Sequence, residues 1–244
     1  MDKVKDIQVA VLGVCLLVGM LVGSFVIAGT LVKVKRNDVL SVTGAASQLI
    51  TSDHASWSCS VARQSGSLAS AYEALKVDLN AVKAYLVKNG FAEKDIKVSG
   101  VSRSELYARD NRGYSTNDIE AYVMRQTITV ASDDVNKIDA IARQSTELLA
   151  DGIGFTSNEP QYIYTKLDDL KVDMIGKATQ NAKERAASMA KNTGNKIGSL
   201  RSANTGVFQI TPPDSTDVSD YGINDTSSIE KKITAVVNVT FAVE

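Results

Sequence analysis

Residues 54–64, HASWSCSVARQ, alternate polar and apolar side chains, with Ala55, Trp57, Cys59 and Val61 on one face. A period of two marks a strand buried on one side. The stretch therefore fixes a sheet, with Trp57 and Cys59 pointing into its core. Working outward, Leu68, Tyr72, Leu75, Leu79, Val82 and Leu86 step by four and three, giving one apolar helix face that Asn89-Gly90 closes. Two extended segments follow, 95–108 with Ile96 and Val98 on one face, and 118–131 with Tyr122, Met124, Ile128 and Val130 on one face. The polar run Arg109-Asp110-Asn111-Arg112-Gly113-Tyr114 lies between them. The spacing predicts a long hairpin whose tip reaches beyond the core.

Ser132-Asp133-Asp134 is a helix start, and Val135, Ile138, Ala142 and Leu149 form the expected buried side of that helix. Residues 153–166 are extended. A strong helix spans 170–192, with Met174, Ala178, Ala182, Ala186 and Met189 on one face and Gly194 ending it. Residues 39–50 read as an opening strand in which Gly44 marks a bulge or a close approach. Residues 196–210 are extended, 211–228 are a polar acidic loop, and Ile233, Ala235, Val237, Val239, Phe241 and Val243 alternate most cleanly of all. The fold class is α+β: one antiparallel sheet with helices packed on it, in the order ββαββαβαββ. Residues 54–166 supply the ferredoxin-like order βαββαβ. No linker separates the last helix and strands, so they are expected to extend the same layers.

Residues 7–32 carry no charge and one strongly polar side chain, Gln8. A membrane helix needs about 20 apolar residues, so Ile7 to Val32 reads as a transmembrane helix preceding the body. The chain divides into an anchor with its basic flank, residues 1–36, and a soluble domain, residues 37–244. The span is longer than the apolar core of a cleaved signal, about 7–15 residues; a step at Val26-Ile27-Ala28 leaves a cleaved, secreted form as the lesser alternative. Val14 before Cys15 argues against lipidation. Gly19 and Gly23 have the spacing of closely packed membrane helices. Lys33, Lys35 and Arg36 slightly outnumber Lys3 and Lys5, and the free amino terminus nearly balances them, so charge alone does not orient the span.

Of the chain's 27 basic and 28 acidic residues, five basic and two acidic fall within residues 1–36, leaving the body 22 and 26, a net −4. That balance argues against nucleic-acid binding, which needs clustered positive charge. Cys59 is the body's one cysteine, which excludes a disulfide within it. The single histidine, His54, follows Asp53 on the face opposite Trp57 and reads as a turn residue; a Ser-His-acid triad would have to use it. Ser188 and Lys191 match S-x-x-K without a K-T-G elsewhere. Asp214, Asp217, Asp220 and Asp225 share one loop, but their spacing is not that of an EF-hand. No cofactor or metal is expected.

Four ordered features carry a resemblance: Val42-Thr43-Gly44 in the opening strand; Asn89-Gly90-Phe91 followed by Asp95-Ile96-Lys97-Val98; Tyr122 with Ile128-Thr129-Val130 running into Asp134; and Ala178, Ala182-Lys183, Ala186, Ala190, Gly194 and Ile197-Gly198 at the last helix and its exit. Together they resemble the SIMPL-domain family of bacterial envelope proteins over nearly all of residues 39–243. The resemblance implies a periplasmic or cell-surface body, self-assembly into rings or channel-like oligomers, no established catalytic residues and a link to envelope or oxidative stress. The uncleaved anchor departs from a freely diffusing periplasmic form. The expectation is therefore a non-enzymatic protein of the bacterial inner membrane, single-pass, with its body in the periplasm or exterior, forming a homo-oligomer. Tyr107, Arg109, Arg112, Tyr114 and Tyr122, on or near the projecting hairpin, are its candidate interface. The alternative is a binding module that presents hairpin 106–119 or the acidic loop 211–228 to a partner protein or ligand.

Overall fold

A computed structural model describes residues 13, 16–25 and 38–244. Ile7, Cys15 and Val32 lie outside the described residues. Gly19 and Gly23 lie in a helical, largely exposed segment, and a Cβ at either would meet nothing within 4 Å. Among the described residues no helix is long and apolar enough to cross a membrane.

The body forms two compact units, and β1 (Val39–Thr51), a long helix (Leu167–Asn192) and a final strand (Glu230–Val243) run through both. The larger unit holds Ala46–Met174 and Val207–Ala235. Its main sheet is built on β2 (His54–Ser65), β3 (Lys97–Val98), β4 (Ser102–Arg109), β5 (Ser115–Ser132), β6 (Phe155–Ser157) and β7 (Gln161–Ile163). The spatial order is β3-β5-β2-β6, with β4 also on β5 and β7 also on β2, and every pair is antiparallel. Helices α1 (Leu68–Lys88) and α2 (Val135–Gln144) pack on β2 and β5. Reading the chain as β2-α1-β3-β5-α2-β6 gives the ferredoxin-like arrangement expected from residues 54–166.

Alternation in β2 places Ala55, Trp57, Cys59 and Val61 in the core, opposite Val130 and Ile128 of β5. From α1, Ala71, Leu75, Leu79, Val82 and Leu86 meet them. Leu68 and Tyr72 do not; both are exposed, because the stripe begins one residue earlier in the turn, at Ala71. Asn89 caps the helix and Gly90 takes φ +84°, the left-handed turn that glycine permits. Asp134 caps α2, its carboxylate accepting from the Lys137 N–H at 3.1 Å.

Other expectations are corrected. Segment 95–108 is two strands, not one: Ser99 accepts the Thr127 N–H on its hydroxyl and the Gln126 amide on its carbonyl, which breaks the ladder. Helix 2 stops at Gln144, where the Ser145 hydroxyl donates to the Ala142 carbonyl at 2.7 Å. The short α3 (Glu147–Ala150) starts on a new phase, so Leu148 is buried and Leu149 exposed.

The single sheet is also a correction. The last strands do not extend the sheet of β2. In the larger unit the end of β1 belongs to a second sheet, with β9 (Gln209–Thr211), β10 (Ile223–Asn224) and the start of β11 (Glu230–Val243); β10 joins β9 in parallel. In the smaller unit β8 (Ile197–Thr205) pairs antiparallel with the end of β11. There Ser41 bonds Thr240 at 2.9 Å and Thr43 donates to Asn238 at 2.7 Å. Helix α4 (Leu167–Asn192) buries Ala178, Ala182, Ala186 and Ala190. Met189 is exposed instead, since a step of four from Ala186 reaches Ala190. Gly44 is a close approach: a Cβ there would lie 2.6 Å from the Ala182 Cβ and nearer still to the Ala178 carbonyl oxygen.

Candidate functional site

The hairpin of β4 and β5 is the larger unit's least self-contained feature. From Ser99 to Glu120 no residue is buried. Among the described residues β4 pairs with β5 alone, and β5 meets β2 only from Tyr122 onward. The ribbon therefore has both faces and one long edge open. Leu106, Tyr107, Tyr114 and Ile119 are 41%, 40%, 70% and 43% exposed. Arg109 and Arg112 are exposed, and Tyr122 is half-buried where the ribbon joins the core.

The tip is knit together rather than slack. The Asp110 carboxylate accepts from the Arg112 and Tyr114 N–H groups, both at 2.9 Å. Asp110 and Tyr114 also share a backbone bond, and Gly113 takes φ +85° to let the chain reverse. The Thr116 hydroxyl donates across the ribbon to the Ala108 carbonyl at 3.0 Å. On the odd-numbered face, Arg103 pairs with Glu105 at 3.5 Å and the Tyr107 hydroxyl donates to Glu105 at 2.8 Å. That bond raises the Tyr107 pKa above the ordinary phenol value. A charged stripe, Arg103, Glu105 and Arg109 with Tyr107 among them, thus runs along a free strand edge.

The candidate chemistry does not converge. His54 Nδ1 lies 2.7 Å from the exposed Asp133 carboxylate, at the start of β2. Cys59 is fully buried, and burial pushes its thiol up to about 12. Trp57 beside it donates its indole N–H to Ser157 at 2.9 Å. Ser188 and Lys191 are exposed on α4. Among the described residues no three His, Cys, Asp or Glu side chains gather with metal-binding spacing. The four aspartates of the acidic loop separate: Asp217 bonds Ser215, while Asp225 turns inward.

Two buried charge networks had escaped the sequence reading. Asp78, on the apolar face of α1, receives Arg63 of β2 through two bonds of 2.5 and 2.9 Å. Arg63 also donates to the Gly152 carbonyl at 2.8 Å. Lys231, 1% exposed, donates to Asp225 at 3.1 Å and to the Ser228 carbonyl at 2.5 Å. Burial pushes the Asp225 carboxyl up, but hydrogen bonds from Ser228, Ser227 and Lys231 outweigh it and hold the group well below the carboxylate range. The same loop anchors its neighbours, since Thr226 and Ile229 carbonyls accept from Tyr162 and Ser52. Beside it, a groove of 420 Å³ is lined by Leu167, Val207, Phe208 and Ile223, with Tyr221 at its rim 98% exposed.

Comparison with known proteins gives one family. Residues 40–241 match SIMPL, described as a protein of unknown function (DUF541). No curated protein matches. Among solved structures, an uncharacterized conserved protein from Listeria innocua aligns over 81% of this chain and 92% of its own, at 11% identity and a TM-score of 0.20. A likeness that weak carries no argument about fold or function.

Proposed function

The chain belongs to the SIMPL family, and from that premise we propose a non-enzymatic, membrane-anchored envelope protein that self-associates through its β4–β5 hairpin. In this reading residues 7–32 span the inner membrane, and residues 37–244 lie in the periplasm or outside the cell. The observation that carries the self-association is the ribbon itself. It has a structured tip, four large apolar side chains in water and an edge with no ladder partner among the described residues. Exposed edges and aromatic side chains are what an interface covers.

Light scattering on the detergent-extracted chain tests the reading. The intact protein should be oligomeric, and replacing residues 106–119 with an Asn-Gly turn should reduce its mass while leaving it folded. A monomer in both forms would remove the self-association. For topology, protease added to intact spheroplasts should digest the body; full protection until lysis would reverse the orientation.

A second reading has its own observation. The groove under Tyr221, together with Val218 at 82% exposure, presents apolar surface beside the 211–228 loop, as a module binding a partner protein or ligand would. It predicts that Tyr221→Ala abolishes a pull-down interaction and leaves oligomer mass unchanged.

A further inference from the structure

Lys231 stands where a hydrocarbon would serve stability better. It belongs to the inward row of β11, with Ile233, Ala235 and Val237, and all four are at most 2% exposed. Replacing a buried ion pair by apolar side chains is often neutral or stabilising. Stability alone therefore explains the Lys231–Asp225 pair poorly. A buried, paired ionisable group beside a cleft is a candidate binding group.

The pair has a donor to spare. An ammonium carries three N–H bonds. Among the described residues Lys231 finds two acceptors, Asp225 and the Ser228 carbonyl. Asp225 takes no more. Its oxygens already accept from the N–H and hydroxyl groups of Ser227 and Ser228 and from Lys231, which fills the roughly four lone-pair sites of a carboxylate. Lys231 also lines a small pocket of 100 Å³, with Tyr164 and Thr226. Leu167, Ile210 and Asn224 line both that pocket and the 420 Å³ groove beside Tyr221, which makes the two one cleft within the larger unit. The outer part is apolar, and the inner end holds a buried cation. Small-molecule sites are built this way, with apolar walls and a few polar groups that fix orientation.

The charges select the ligand's head. Asp225 balances Lys231, and at the groove Asp168 lies 3.7 Å from Lys171. An anionic head would add an unbalanced charge to a neutral site, and a cationic head would oppose Lys231; both are unfavourable away from water. A neutral carbonyl accepts the third N–H without that penalty. Tyr164 and Asn224, whose side chains make no hydrogen bond among the described residues, are left for an amide N–H or an ester oxygen.

We propose that this cleft binds a small neutral acyl compound, an amide or ester, with its carbonyl on Lys231 and its apolar chain along Leu167, Phe208 and Ile223. This rests on the groove reading above and names its ligand; it is independent of self-association.

The test uses the full chain in detergent and three probes that carry a photoreactive diazirine on the same alkyl chain: decanamide, decanoate and decylamine. Irradiation followed by peptide mass spectrometry reads the labelling of residues 207–224, and circular dichroism checks folding. Decanamide should label them about tenfold or more above decylamine, the worth of one hydrogen bond to a charged group, and should also exceed decanoate. Leu167→Trp, which fills the junction of groove and pocket, should abolish labelling in a folded chain. Lys231→Met/Asp225→Asn removes both charges together, so that neither is stranded, and should bring the three probes to equal labelling. The probe comparison in the intact chain decides even where a variant fails to fold. Equal labelling by all three probes there, or a preference unchanged in Lys231→Met/Asp225→Asn, overturns the Lys231 site and leaves the groove reading standing. No labelling above the Leu167→Trp background overturns ligand binding altogether. A Tyr221-dependent pull-down would then keep the groove for a protein partner, and its absence would remove the groove reading as well.

Discussion

Gly44→Ala offers a sharp test of the smaller unit's packing. Gly44 sits where β1 meets α4, and a Cβ built on it lies 2.6 Å from both the Ala182 Cβ and the Ala182 nitrogen. The Ala178 carbonyl oxygen is nearer still. Two of these three atoms are helix backbone, which no side-chain rotation can move. Ordinary contact requires α4 to retreat by roughly 1 Å, and a gap of that size along the Ala178, Ala182 and Ala186 face forfeits a quarter to a half of each contact's dispersion energy. Overpacking of this kind costs about 1–3 kcal/mol. The restricted unfolded chain returns about 0.5–1 kcal/mol, so a net loss of about 1 kcal/mol is expected. With a urea slope of about 2 kcal/mol/M, the midpoint followed by far-UV circular dichroism should fall by about 0.5 M. Gly176→Ala is the control. It lies exposed on the same helix with nothing within 4 Å of its Cβ, so the same chemical change should stabilise by about 0.5–1 kcal/mol. Ala182→Gly should not rescue Gly44→Ala, because the carbonyl of Ala178 remains. A neutral Gly44→Ala, or full rescue by Ala182→Gly, would refute the backbone-contact argument.

Further expectations concern the larger unit. Trp57→Ala should cost about 3–5 kcal/mol by leaving a cavity between β2 and α1, read as a lowered denaturation midpoint. Cys59→Ser should cost about 1–3 kcal/mol by burying a hydroxyl where a thiol packed, and rapid labelling of native Cys59 by a thiol reagent would contradict its burial. Asp225→Ala strands the Lys231 ammonium in the core and should cost about 3–5 kcal/mol at neutral pH. Because the folded carboxyl of Asp225 is held below its unfolded value, its contribution is complete above about pH 4. It shrinks as pH falls below that and vanishes once the folded group itself protonates, so an Asp225→Asn variant should show a shallower acid limb in a stability–pH profile. An unchanged acid limb would deny Asp225 that role.

What the sequence made legible was local. Alternation in β2 and β11 placed their inward faces correctly, and Asp134, Gly90 and Gly194 marked helix ends because caps act over one turn. The hairpin was readable from a polar Arg109–Tyr114 run between two extended segments. Pairing between strands far apart in sequence was not readable: nothing in β1 or β11 says that they build a second sheet instead of flanking β2. The buried ions were invisible for a related reason. Asp78 looks like a surface position until Arg63 of the preceding strand folds back on it, and Lys231 reads as the polar lead-in of β11 until Asp225 reaches it from the loop. A lone charge in a sequence signals solvent; only the partner's position makes its burial tolerable. The hairpin tip from Arg109 to Arg112, by contrast, is exposed as its polarity predicts, while Leu106, Tyr114 and Ile119 are exposed against theirs.

That contrast bears on the function. Inside the larger unit the buried charges are matched: Asp78 by Arg63 and Asp225 by Lys231 and two serines. The ribbon from Ser102 to Ala121 is bonded within itself, but its outer edge has no ladder partner among the described residues. A two-stranded ribbon is at best marginally stable in water, and a long edge strand is a template for other chains. Edge charges are a common defence against such pairing. On β4, however, Arg103 and Glu105 neutralise each other within the strand. That defence is therefore weak on this edge, which is where the self-association proposed above would act.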